Sequence, residues 1–221
     1  MTKENLQLLQ KGIIRVQNFN SIAFQNVIKK ANFNEFIDDF LTGYITQKLR
    51  MFNLDGTSGL VVSQIVKDLP VINSLSFADC NLDIGETLET LADANLKNLR
   101  FLNLSGNHGK TKISSDLELP EELVRLDVNN VTWNDGVFSS FISNIFKNKY
   151  KKGLNLYIED VHATQEDWEQ VQGILGKIDD YPLIELGWSG NMVNESLLSF
   201  LQKNKKLTTL FISRTFSNDS L

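Results

Sequence analysis

Cys80, His108 and His162 are the side chains of this chain best suited to metal or nucleophilic chemistry, and their spacing supports neither. Two histidines and one cysteine scattered this widely form no ligand set. Each histidine is expected in a surface loop, and Cys80 is read as a buried structural thiol rather than an activated one. Glu118, Glu121 and Glu122 bracket Pro120 but lack the fixed oxygen-ligand spacing and turn glycine of a calcium loop. Lys147, Lys149, Lys151 and Lys152 form the one local positive cluster. Such a run can meet anionic lipid or an acidic partner. At a helix end it complements the dipole, which is the reading taken. No glycine-rich phosphate loop occurs. Asn103-Leu-Ser105 matches a glycosylation sequon but falls in an expected strand. No catalytic residue, metal or cofactor is therefore predicted, and the chain is read as a non-enzyme. What remains is recognition. Arg100, Phe101, Arg125, Asp127, Tyr157, Asp55 and Asp79 are the candidate protein-binding residues, because aromatics and arginine dominate interface energetics. The competing reading is an ordinary solvated surface.

The elements that must position these residues follow from a repeated phrase. Leu99-Arg-Phe-Leu102-Asn-Leu104-Ser-Gly-Asn107 carries apolar residues at positions one, four and six and Asn at position nine. Seven copies start at Leu49, Ile72, Leu99, Leu123, Lys151, Leu183 and Leu207, spaced 23, 27, 24, 28, 32 and 24 residues apart. This self-similarity is identified as the leucine-rich repeat. Alternation at positions four and six predicts a strand in each copy, with the residues between facing outward. Successive strands are expected to pair in parallel. The outward column at position five then reads Asn53, Ser76, Asn103, Asp127, Asn155, Gly187 and Phe211. Position seven reads Asp55, Ala78, Ser105, Asn129, Tyr157, Ser189 and Ser213, and position three reads Met51, Ser74, Phe101, Arg125, Gly153, Glu185 and Thr209. Position nine holds Thr57, Cys80, Asn107, Val131, Glu159, Asn191 and Thr215. An Asn there can satisfy the backbone groups of neighbouring coils. Val131 and Glu159 cannot, so irregular turns are expected in those two repeats.

Between the strands the period becomes helical. Val137, Phe138, Phe141, Ile142, Ile145 and Phe146 form an apolar stripe, with Asn134 or Asp135 as its cap. Trp168, Val171, Leu175 and Ile178 form a second, with Thr164 and Asp167 spaced as a capping box. Leu197, Leu198, Phe200 and Leu201 form a third, capped by Asn194, and Ile84, Leu88 and Leu91 serve the same role earlier. Gly109 to Pro120 reads as a loop. Trp133, Trp168 and Trp188 are assigned to the core. Upstream, Ile14, Val16 and Phe19 read as an additional strand and turn. Ile22, Phe24, Val27 and Ile28, then Phe33, Phe36, Ile37, Phe40 and Leu41, read as two helices with Asn34 as a cap between them. Residues 1–48 are thus expected to be an N-terminal helical cap or a degenerate repeat, and 49–221 the repeats proper.

The whole is an α/β solenoid, a curved horseshoe with a parallel sheet on its concave face and helices on its convex face. The chain has 221 residues, 42% of them hydrophobic, and a net charge of −5. Its lysines and arginines are scattered, which argues against nucleic acid as a partner. No apolar run is long enough to span a membrane. A single cysteine points to the cytoplasm. No amphipathic helix follows the last strand, so a longer solenoid is expected, or else self-association through this uncapped end.

The helix-containing spacing resembles the ribonuclease-inhibitor-like class. Within it, Ile184-Glu-Leu-Gly-Trp188-Ser-Gly-Asn191, Leu197 to Asn204 and Leu207 to Phe216 resemble the leucine-rich region of CARMIL, a family of actin capping-protein regulators. That resemblance implies a cytoskeletal or signalling scaffold binding a protein through the concave sheet or a solenoid end. It does not imply capping-protein binding, which in that family lies in a separate tail. Two alternatives stand beside it. One is a GTPase-activating regulator using strand-end residues such as Asn107 and Arg214. The other is the repeat portion of a larger signalling protein.

Overall fold

The computed structural model describes residues 3–27 and 33–215. Eight short strands form one parallel sheet: β1 (Ser21–Ala23), β2 (Met51–Asn53), β3 (Ser74–Ser76), β4 (Phe101–Asn103), β6 (Arg125–Asp127), β8 (Leu154–Tyr157), β9 (Leu183–Gly187) and β10 (Thr209–Phe211). Apart from β5 (His108–Gly109) and β7 (Thr132–Trp133), which pair with each other, the strands lie in sequence order. In β2, β3, β4 and β6 the middle residue is buried and its neighbours are not. Position-six residues Leu54, Phe77, Leu104, Val128 and Ile158 are fully buried beneath the sheet. The ladder continues beyond the strands. The amides of Leu54 and Gly56 donate to Ser76 and Ala78, those of Leu104 and Gly106 to Asp127 and Asn129, and those of Trp188 and Gly190 to Phe211 and Ser213.

The pairing registers correct one alignment. Leu126 of β6 faces Leu156, not Leu154, and Leu156 in turn faces Leu186. The fifth coil therefore starts at Gly153, two residues later than the sequence suggests. Leu154, Leu156 and Ile158 alternate, so a strand of period two accepts either register. The neighbours on both sides select one. This moves Tyr157 into position five and Glu159 into position seven, and Val161 takes the ninth slot in place of Glu159.

The N-terminal segment also differs from expectation. Ile14 ends a helix, α1 (Lys3–Ile14), and no strand runs through Val16. The extra strand is β1, which pairs Ile22 with Phe52, so the sheet begins within residues 1–48 and the additional strand lies later in the chain than expected. The helix read over Ile22 to Ile28 is absent up to Val27, and Ile28 lies outside the described residues. The second helix is present as α2 (Phe33–Phe40) and is followed by the single turn α3 (Gly43–Thr46). Asn34 sits inside α2, where it ties to the next coil: its Nδ2 donates to Gly59 O and its Oδ1 accepts from Val61 N.

The later coils carry α4 (Val62–Val66), α5 (Ile84–Asp93), α6 (Val137–Lys147), α7 (Gln165–Leu175) and α8 (Glu195–Lys203), each between two strands of the large sheet. Asn194 caps α8 through Leu197 N, as its position predicts. Neither Asn134 nor Asp135 caps α6. Its N-cap is Gly136, at φ +71°, and the free amides of Gly136 and Ser139 are taken by the carboxylate of Asp167 from α7. Asp167 N is held in turn by Thr164 Oγ1. The capping box is thus only half reciprocal, its acid being used to cap the neighbouring helix. The stretch after β5 to Pro120 has no helix. All three tryptophans and Cys80 are buried. His162 is exposed and His108 half-buried, the latter within β5 rather than in a loop, with Nε2 2.9 Å from Asn81 Oδ1.

Candidate protein-binding face

The outward residues of the sheet present two groups of large side chains. The first lies on β2 and β4, where Met51 is 50% exposed and Phe101 44% exposed. Between them β3 offers only Ser74, which faces both. A short residue flanked by two long apolar ones leaves a notch on the face.

The second group is built on β6, β8, β9 and β10 and is bonded internally. Arg125 Nε donates to Asp127 Oδ1 at 2.9 Å and Nη2 to Oδ2 at 2.9 Å, a bidentate pair two residues apart on one strand. The guanidinium carbon lies 4.3 Å from the ring centroid of Tyr157. The Tyr157 hydroxyl donates to Glu185, and its ring lies 5.8 Å from that of Phe211. Phe211 is 46% exposed. Gly187 makes the arrangement possible, since a Cβ there would fall 2.7 Å from Tyr157 Cδ1 and 3.2 Å from Glu159 Oε1. With no side chain on β9 at this point, the rings of Tyr157 and Phe211 approach across it. Burial and the Glu185 hydrogen bond push the Tyr157 hydroxyl up to about 12. It stays protonated as a donor, while the carboxylate of Asp127 holds Arg125 above its usual range. The cation–π contact and the two charge-assisted bonds fix side chains that would otherwise lose rotamer freedom on binding.

Four of the seven candidate residues thus occupy this face: Phe101 in the first group and Arg125, Asp127 and Tyr157 in the second. The other three do not act there as expected. Arg100 is exposed but lines a separate groove of about 1080 Å3 among Leu96, Asn98, Glu118 and Glu121. Asp55 is an internal brace, its carboxylate accepting from Ser76 Oγ, Ala78 N and Asn53 Nδ2. Asp79 lies in the turn after β3 at φ +55°, over Gly106 of the next coil. Met51, Glu185 and Phe211 belong to the face and were not singled out. The slipped register of the fifth coil hid the last of these, because it separated Tyr157 from the Gly187–Phe211 column.

The turn holds a second column invisible to the apolar pattern. Position eight of every coil has positive φ: Asn26, Gly56, Asp79, Gly106, Asn130, Asp160, Gly190 and Arg214. Where it is Gly, the preceding coil supplies Asn or Asp, with the side-chain oxygen seated where a Cβ would be, at 2.2, 1.9 and 2.0 Å for Gly56, Gly106 and Gly190. Arg214 reaches back over Gly190 to pair with Asp160 Oδ2 at 2.8 Å. Asn107 is buried and bonded to the backbone of the preceding coil and of its own. Of the two strand-end residues named for a GTPase-activating role, Asn107 is thus engaged inside the protein, whereas Arg214 is exposed and ion-paired.

No protein-family model matches the chain, and no curated protein matches it. Solved structures do. TLR13 in complex with ssRNA13 superposes over 96% of this chain with a TM-score of 0.51 at 14% identity. The chain spans about a third of that protein, 31% of its length. The plant peptide hormone receptor RGFR1 in complex with RGF2 matches over 90% of the chain and 36% of its own length, with a TM-score of 0.37 at 10% identity. The repeated strand, the parallel sheet in sequence order, the ninth-position Asn and the TLR13 superposition give one conclusion: the chain folds as a leucine-rich-repeat solenoid.

Proposed function

We propose that this solenoid is a non-enzymatic scaffold that binds a protein partner on the outward face of its sheet. The observation that supports this most is the exposure of Met51, Phe101 and Phe211 on strands whose other outward positions are short and polar. Large apolar side chains on a rigid sheet, beside a fixed Arg–Tyr pair, have the composition of interface anchors. A protein suits this face better than RNA, which TLR13 holds in its complex. Arg125 is matched on the face by Asp127, Glu159 and Glu185, and among the described residues no basic stripe crosses it. A cytoplasmic, cytoskeletal or signalling setting rests on the single cysteine and on the resemblance of the last third alone.

The test compares wild-type bait with Phe101→Ser/Phe211→Ser bait in a lysate of the source organism, read by mass spectrometry. Both substituted side chains are half-exposed, so the melting temperature is expected to move little. A partner retained by wild type and lost by the variant supports the concave face. Identical sets of bound proteins would defeat the reading.

A further inference from the structure

A cleft on another edge of the solenoid carries a different chemistry. The end of α6 and the loops that lead from helix to strand in three coils meet there: Lys147 and residues 148–153 after α6, 181–184 after α7, and Lys206 after α8. They enclose about 610 Å3, lined by Lys147, Lys149, Lys151, Lys152 and Lys206 and by no carboxylate. The sequence shows four of these lysines as a run. Only the stacking of coils adds Lys206, which precedes its strand as Lys152 precedes the fifth coil. Three of the five are anchored from outside the cleft: Lys147 by Ser115 O and Asp116, Lys151 by Glu121 and Glu122, and Lys152 by Glu122 at 3.9 Å. Among the described residues Lys149 and Lys206 have no carboxylate partner.

An independent observation marks the same place. Tyr150, between Lys149 and Lys151, is 5% exposed, and among the described residues its hydroxyl has no hydrogen-bond partner. The adjacent Tyr181, at 6.5 Å between ring centroids, bonds the carbonyls of Ile145 and Asn148 through its own hydroxyl. The loop is thus held by one tyrosine and leaves the other with an unused donor. A buried unsatisfied hydroxyl is costly and seldom kept without use. Several lysines lining one cleft together with a tyrosine whose donor is unused suit an oxyanion that accepts many hydrogen bonds.

We propose that this cleft binds a small ligand carrying phosphate groups. A free phosphorylated compound and a lipid headgroup share that chemistry. The probes are inositol trisphosphate by calorimetry and phosphatidylcholine vesicles carrying phosphatidylinositol bisphosphate by co-sedimentation. The proteins are the wild type, Lys149→Glu/Lys206→Glu and Tyr150→Phe. Wild type is expected to bind the free probe saturably at one site, more weakly as salt rises. The double reversal should weaken binding at least about tenfold. Tyr150→Phe should weaken it about three- to tenfold, the range of one hydrogen bond, without lowering the melting temperature of the free protein. Vesicle binding in excess of the free probe assigns the site to a headgroup, and equal or weaker vesicle binding assigns it to a free ligand. Two outcomes would overturn the proposal: no saturable binding of either probe, or binding untouched by both variants.

Discussion

Asn107 shows how one side chain holds two coils of backbone together. Its Nδ2 donates to the carbonyls of Phe77 and Leu104, and its Oδ1 accepts the amides of Cys80 and Leu82. Removal orphans buried groups worth about 1–3 kcal/mol each. Asn107→Ala is therefore expected to lose about 3 kcal/mol or more in urea denaturation. Thr57 does part of the same task, taking Val27 N and giving to Phe24 O, and Cys80 gives its thiol to Leu54 O. Burial pushes that thiol up to about 11 from 9.0, and Tyr157 rises to about 12 from 10.0. Both groups hold their protons more tightly folded than unfolded. Their contribution is complete below the unfolded values and is lost as pH rises through the folded ones. Thermal melts should accordingly be flat up to about pH 9 and fall between about pH 9 and 12. Cys80→Ala should remove the lower part of that decline. Gly106 tests the turn column, since a methyl there meets Asp79 Oδ1 at 1.9 Å with φ at +68°. Gly106→Ala should destabilise by about 1–3 kcal/mol. Adding Asp79→Gly should recover the clash but not the backbone strain.

At the scale of elements, the helices are fastened across coils more than within themselves. Asp167 begins α7 and caps α6. Asp83 caps α5 through Glu86 N and reaches Lys110 N and Thr111 N of the next coil. Asp167→Ala should lose about 2–3 kcal/mol in chemical denaturation, with α6 amides exchanging faster. Asp135→Ala, at the residue the sequence nominates as the cap, should change stability by no more than about 0.5 kcal/mol. Local spacing identified α6 from its apolar stripe and α8 from its stripe and cap, because those signals reside in consecutive residues. It could not identify the cap of α6, because that acceptor arrives from 31 residues away. The register of β8 was illegible for a related reason: Leu154, Leu156 and Ile158 satisfy two alignments equally, and only bonds to β6 and β9 distinguish them. The α1 helix escaped notice because its buried contacts, Leu6 and Ile13, are few in an otherwise polar stretch.

Across the whole molecule, stability in a solenoid is nearly a sum over neighbouring coils. The coils of β2 to β9 each have a neighbour on both sides. On β10, Leu210 and Ile212 occupy the core positions four and six yet are 38% and 40% exposed. The same positions in the central coils are buried. Hydrogen exchange should therefore show graded protection, highest in β4 and β6 and lowest in β10. Uniform protection along the sheet would contradict a coil-by-coil account.

The sequence by itself determined the solenoid: its period, its parallel sheet, its buried tryptophans and thiol, and most of its helices. Each of these is specified by residues within one repeat, where burial and hydrogen bonding impose a fixed pattern. Tertiary structure decided what depends on the relation between repeats. It set the register of the fifth coil, the gathering of Arg125, Tyr157, Glu185 and Phe211 over Gly187, and the meeting of Lys206 with the lysines after α6. Those residues lie a coil or more apart in the chain. Only the stacking of one coil on the next, through backbone bonds that carry no side-chain signature, brings them together.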